Sequence, residues 1–293
     1  MQRMSLASVS LASVAIALAA VSAPVAVHAQ GQQPTFATTK VTDNVYYFRY
    51  QGHQAMFIVT PAGVIATDPI SENRPAAEAY IAEIRKITQA PIRYVIYSHQ
   101  DPDHVAGGKP FKDAGATFVA HRFAKNNIAR MNRADIVPVD EIVDDKRTIS
   151  LGGVDLELTY LGRNHTEGAL LMRLPRERII FTVDWIPVES LFFQNMPGWY
   201  LPEHEEGLKK VLALDWDRHI PGHGRLGTKA DLQNLINYVS DLSAEVKKAA
   251  DAGKCPDAAK NEIKLPKYAS WANYDRYLPV NIERYCTYWT TGK

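Results

Sequence analysis

The 293-residue chain has little cysteine, no surplus charge of either sign, no internal repeat and no low-complexity block. Cys255 and Cys286 are the only cysteines, both near the C-terminal end. A disulfide-dense scaffold is therefore excluded; one disulfide is the most the chain can form within itself, and spacing alone leaves it open. Lys and Arg number 33 against 32 Asp and Glu, a net charge of +1. Residues 1–29 hold Arg3 and no acid, so the remainder balances at 32 against 32. The clustered basic excess of a nucleic-acid binder is missing, which disfavours nucleic acid as the main partner. Ser98 has no Gly-x-Ser-x-Gly frame and is read as a strand-end residue, not a nucleophile. What is present is ordinary globular composition, 46% hydrophobic and 22% charged, which excludes disorder, collagen and coiled coil.

Residues 1–29 have the layout of a cleaved export signal. Arg3 precedes an apolar stretch from Leu11 to Val21, and Val27-His28-Ala29 places small residues where a signal peptidase cuts. The apolar core is short for a membrane anchor and Pro24 interrupts its far end. The expectation is cleavage near Ala29, a periplasmic or secreted mature protein, and no stable membrane insertion.

Beyond this segment, strands and helices alternate. Apolar and β-branched runs predict strands at 45–50, 55–60, 64–68, 92–97, 117–120, 169–174 and 179–183, with a hairpin over 149–161 around Gly152-Gly153. Helical spacing of Ala79, Tyr80, Ile84 and Ile87 predicts a helix over 75–88. Further helices are expected at 105–113, 205–214 and 229–250, with a short strand into 219–222. After Gly253 the chain turns polar and then aromatic. The class is α/β.

The informative run is Tyr97-Ser-His99-Gln-Asp101-Pro-Asp103-His104-Val-Ala-Gly107-Gly108, directly after a predicted buried strand. In near-extended chain His99, Asp101 and Asp103 share one side, and His104 points elsewhere. Such a loop can feed two adjacent metal ions, with Gly107 and Gly108 letting backbone pass close beneath. His165, Asp184 and His223 each stand just beyond a predicted strand. Singly, each is most simply a turn or packing residue; together, seven ligand-type residues fall at strand ends in order.

This set resembles the metallo-β-lactamase superfamily, whose HxHxDH motif is followed by His, Asp and His in the same order. The turn Pro61–Asp68 resembles the family's opening hairpins, and the resemblance covers roughly residues 40 to 250. It implies a four-layer αββα sandwich, with 30–252 as the metallo-β-lactamase-like domain and 253–293 as a C-terminal extension. Carried over residue by residue, one metal would have His99, Asp101 and His165. The other would have Asp103, His104 and His223, and Asp184 would bridge both. Asp101 stands where the family has its second histidine. A carboxylate there acidifies a bound water less and shifts preference from zinc towards iron or manganese; it is also short enough to stop outside the ion's reach. Oxygen-reducing relatives carry a longer carboxylate, Glu, at this place.

The resemblance implies a hydrolase, with zinc as the default metal, two ions, and iron as the alternative. A metal-bound water or hydroxide would attack a small-molecule ester, lactone, amide (β-lactams included) or phosphoester, with Asp103 as the catalytic residue orienting the nucleophile. The rival readings are a non-haem diiron oxidoreductase and a non-catalytic metal-binding protein. Oligomeric state is not legible. His121 and His219 are expected to pack, His204 to cap a helix or lie on the surface, and His53 to sit on a flap by analogy of fold. Arg163 and Asn164 are turn or substrate-orienting residues. Trp185, Phe192, Phe193, Trp199 and Tyr200 form core or a pocket wall.

Overall fold

Two sheets form because their strands carry apolar residues on the faces that meet. In the computed structural model, which describes residues 35–292, the strands and helices in chain order are as follows. The first half holds β1 (Phe36–Lys40), β2 (Val45–Tyr50), β3 (His53–Thr60), β4 (Gly63–Thr67), α1 (Ala76–Ile87), β5 (Ile92–Ile96), α2 (Pro102–Val105), α3 (Lys109–Asp113), β6 (Thr117–His121), α4 (Arg122–Met131) and β7 (Glu141–Val143). The second holds β8 (Lys146–Leu151), β9 (Val154–Thr159), β10 (Leu171–Leu174), β11 (Ile179–Val183), α5 (Leu201–Ala213), β12 (Arg218–Pro221), α6 (Lys229–Asp251), α7 (Asp257–Glu262) and α8 (Tyr274–Thr291). The export-signal reading of 1–29 lies outside the described residues.

β1 to β7 form one sheet in sequence order, antiparallel up to β4 and parallel from there to β7. The other sheet runs β12-β11-β10-β9-β8, with only the β11–β12 pair parallel. β4 and β11 are buried along their whole length, as strands covered on both faces must be. Between the sheets, Met56, Ile58, Ile65, Ile96 and Val119 meet Leu156, Leu158, Met172, Phe181 and Ile220. Tyr80 and Ile84 of α1, with Phe111, cover the outer face of the first sheet, and α5, α6 and α8 cover the second. This is the expected αββα sandwich. Among the described residues no helix is long and apolar enough to cross a membrane.

Several local expectations need correction. Ile87 is exposed, so the apolar stripe of α1 ends at Ile84. α5 begins at Leu201, not 205, because Pro202 sits in its first turn where no backbone donor is missed. That start turns His204 inward, and it is fully buried instead of capping or surface-lying. α4 and β1 carried no clear periodic signal.

The C-terminal segment packs as part of the same compact unit. Tyr238 of α6 donates a hydrogen bond to Asn281 of α8 (3.0 Å), and Cys255 and Cys286 form a disulfide closing a 31-residue separation. Loop-closure entropy at that length is worth about 3 to 4 kcal/mol. The Cys255→Ser/Cys286→Ser protein should lose about that much in a urea titration; a loss below about 1 kcal/mol would mean the α7–α8 packing holds the segment unaided.

Candidate metal centre

The seven residues singled out in the sequence converge at one edge of the packed sheets, in two groups. The first is His99, Asp101 and His165: Asp101 Oδ2 lies 3.1 Å from His165 Nε2 and 3.6 Å from His99 Nε2. The second is Asp103, His104 and His223, with His104 Nε2 3.4 Å from His223 Nε2 and 3.6 Å from Asp103 Oδ2. Asp184 lies between them. Its Oδ2 is 3.6 Å from His99 Nε2 and His165 Nε2 and 3.4 Å from His104 Nε2, while its Oδ1 is 3.2 Å from His223 Nε2.

Local chain chemistry explains the split. Asp101 is extended at the N-cap of α2, and Pro102 opens the helical turn. The alternation that aligns His99 with Asp101 therefore ends there. Asp103 does not stay on their side, as extended chain would have it, but joins His104 in facing the second group. Gly107 and Gly108 also differ from expectation. A Cβ at Gly107 would meet Ser71 and one at Gly108 would meet Phe118 and Tyr97, so they serve packing against the first sheet and not an approach beneath ions. The close approach is at Gly222, where a Cβ would lie 2.4 Å from Asp184 Oδ1 and 3.2 Å from His104 Cε1. Val183, directly before Asp184 and itself 2.7 Å (Cγ1) from where that Cβ would lie, adopts φ 54° at a register shift between β11 and β12. A β-branched residue in that region is strained, and it stands directly before the Asp184 carboxylate.

The histidines are held by their outer nitrogens. His99 Nδ1 is 2.8 Å from Ser98 Oγ, His223 Nδ1 donates to Gly52 O (2.7 Å), and His104 Nδ1 faces Asp68 Oδ2 at 3.5 Å. Each thus presents Nε2 inward, the arrangement that sets ring orientation in metal-binding histidines. Asp68 also accepts from Ser98 N (2.8 Å), tying β4 to the start of the ligand loop. Asp68 and His53 are the two residues the sequence reading left out of the site. Asp68 closes a buried strand beside the loop's own strand, a placement visible only once β4 and β5 are paired.

Electrostatics favour cations. Burial pushes the Asp184, Asp101 and Asp103 carboxyls up, but neighbouring histidines outweigh it and hold all three below the usual carboxylate range: His104 and His223 for Asp184, His99 and His165 for Asp101, His53 and His104 for Asp103. Three ionised carboxylates in a half-enclosed pocket need positive charge. His99 Nε2, both ring nitrogens of His165 and Asp184 Oδ1 are buried and form no well-aligned hydrogen bond, although three of the four stand 3.1 to 3.6 Å from a carboxylate or imidazole atom. Inward imidazoles, carboxylates and orphaned donor atoms fit one or two divalent ions.

The remaining candidates divide. His121 caps α4 by accepting from Phe123 N (3.3 Å) and stacks on Tyr160; His219 is buried against Thr182 Oγ1 (2.6 Å). Arg163 pairs with Glu203 and lies over Tyr200, and Asn164 is buried. Trp185, Phe192 and Trp199 are core, whereas Phe193 is exposed. A cleft of roughly 740 Å³ opens over Asp103, Asp184 and His223, walled by Val188, Leu191, Phe192, Phe193, Trp199 and, from the C-terminal segment, Ala272, Asn273 and Tyr277. None of its lining residues is Lys or Arg. On the far side of Asp101 and His165 a second opening includes Arg130, which is paired with Glu167.

Comparison with known proteins agrees with this geometry. The model of the family described as the metallo-beta-lactamase superfamily matches residues 51–223. The 2,4-dinitroanisole O-demethylase subunit alpha of Nocardioides sp. (strain JS1661) is 22% identical over 268 residues, covering 89% of this chain and 81% of that protein. The metallo-beta-lactamase type 2 of Bacillus cereus is 21% identical, covering 70% of this chain and 83% of its own. Among solved structures, a metallo-beta-lactamase from Pontibacter korlensis superposes with TM-score 0.61 at 18% identity, over 70% of this chain and 99% of that one. The sec-alkyl sulfatase PisA1, as a double mutant, superposes with TM-score 0.71 at 15% identity, over 87% of this chain and 50% of that one. At these identities the superpositions speak for the fold.

Proposed function

Because the chain belongs to the metallo-beta-lactamase superfamily, and its relatives support a metal-dependent hydrolase or related enzyme, we propose that it is an exported metallohydrolase of small uncharged substrates. The observation that carries this is the pair of donor groups sharing Asp184 at the floor of an apolar cleft. His99, Asp101 and His165 would hold one ion, Asp103, His104 and His223 the other, with Asp184 reaching both. Bound ions supply Lewis acidity and an acidified water.

The protein's own groups do the rest. Asp103 is half-exposed at the cleft floor and held ionised, so while its Oδ2 faces the donor group its carboxylate would orient the attacking water and relay a proton to the leaving group. Phe192, Trp199 and Tyr277 remove water from an apolar substituent beside the reacting carbonyl. With no Lys or Arg in this wall, neutral esters, lactones and amides are favoured over phosphoesters and over β-lactams, which carry a carboxylate. The dinitroanisole-acting relative, whose named substrate is an uncharged aryl ether, supports an apolar aromatic ligand. The disulfide supports a periplasmic or secreted location.

The test is elemental analysis of protein purified without added metal or chelator, followed by a panel of 4-nitrophenyl esters. Two zinc ions per chain, turnover of 4-nitrophenyl butyrate exceeding that of 4-nitrophenyl phosphate, and a loss of at least about 100-fold on EDTA treatment are expected. Activity that survives EDTA would count against the reading. Asp101 favours one second reading, since two histidines with carboxylates suit iron. Predominantly iron, with oxygen uptake and no esterase activity, would select a diiron oxidoreductase.

A further inference from the structure

His53 opens β3 and belongs by position to the second donor group. Its Nε2 is 3.2 Å from Asp103 Oδ2, and its ring centroid is 4.6 Å from that of His223 and 5.6 Å from that of His104. One donor atom from each of His53, Asp103, His104 and His223 can be chosen so that all four lie within 4.8 Å of one another. Around a tetrahedral zinc ion with bonds of 2.0–2.1 Å, neighbouring donors stand about 3.3 Å apart. The His53–Asp103 and His104–His223 separations, 3.2 and 3.4 Å, match that edge.

His53 is also fixed in place. The residue before it, Gly52, accepts from His223 Nδ1 (2.7 Å). The residue after it, Gln54, donates through its backbone to Gly222 O (2.8 Å) and through its side chain to Pro221 O (2.9 Å). Both flanks are therefore pinned to the turn that carries His223, and six paired positions hold β3 against β2. A side chain placed this firmly among three donors is not a flap residue.

We propose that His53 is a fourth protein ligand of the second ion. The proposal rests on reading the site as a metal centre. It makes the two positions unequal. The second has four protein donors before Asp184 is counted, with Asp103 and His223 on the cleft floor. The first has His99, Asp101 and His165 and keeps an open position for water and substrate. Asp101 and His53 then form a linked departure: a carboxylate replaces an imidazole at the first position while an additional imidazole enters the second.

The experiment uses the full mature chain loaded with Co(II), with metal stoichiometry, competition against a chromogenic chelator and the d–d absorption spectrum as readouts. Wild-type protein should bind two ions, one much more tightly than the other. His53→Ala should weaken the tight ion at least tenfold, since removing even an outer hydrogen-bond partner of a ligand typically costs about 10- to 100-fold. The same variant should alter the d–d bands of that ion alone. His53→Gln keeps a donor for Asp103 but offers no imidazole, and it should behave as the alanine variant does. If His53→Gln retains the wild-type affinity and spectrum, His53 acts only through Asp103 and the proposal is overturned; unchanged binding in both variants overturns it as well. Wild-type protein that binds no metal overturns the metal-centre reading itself, which separates that failure from this one.

Discussion

Asp184→Asn is expected to reduce bound metal from two ions to one or none and to lower turnover of a neutral ester by more than about 100-fold. The carboxylate lies within 3.6 Å of donors in both clusters: His99 and His165 on one side, His104 and His223 on the other. An amide is neutral and offers one oxygen, so it cannot satisfy both sides. Volume is conserved and Gly222 leaves the space unchanged, so far-UV circular dichroism should match wild type. Elemental analysis and the 4-nitrophenyl butyrate assay check the expectation. Two ions and wild-type turnover in Asp184→Asn would falsify the bridging role.

The second large effect is acid sensitivity from two histidines outside the donor groups. His204 and His219 are fully buried, and desolvation lowers them to about 4 and about 3. His204 donates from Nε2 to Trp185 O (2.8 Å) among Trp185, Phe192 and Trp199, and His219 meets Thr182 Oγ1. Both folded-state values lie below the ordinary imidazole value near 6.5, so the unfolded chain takes up these protons first as the pH falls. Their stabilising contribution is complete above about pH 6.5. It drains between pH 6.5 and about 3, by on the order of 3 to 5 kcal/mol for each residue. Denaturant titrations at pH 7, 5 and 4 should show this fall, and it should be clearly shallower in His204→Gln. A variant with the wild-type slope would mean that His204 is not the group being titrated.

The sandwich and most of its elements were legible because period and punctuation carry them. The apolar runs at 45–50, 64–67, 92–96 and 179–183 are strands, and the double glycine at 152–153 turns the β8–β9 hairpin. Helix boundaries were less legible, as at α5, where one proline decides a start four residues earlier than the apolar pattern suggests.

For the site, the sequence by itself determined which side chains stand at strand ends. His99, Asp101, Asp103, His104, His165, Asp184 and His223 all reach one edge because strands of a packed sheet deliver their C-terminal residues there. It also placed a carboxylate, Asp101, in the first donor group. Tertiary structure alone decided who else joins them. His53 meets Asp103 across 50 positions, and Gly52 meets His223 across 171, through sheet register that no local pattern encodes. The same holds for Asp68 beneath His104, for the burial of His204, for the Cys255–Cys286 disulfide and for the place of Tyr277 in the cleft wall. Local propensity acts over a few residues; these contacts exist only where two sheets, a hairpin and a C-terminal helix close on one another.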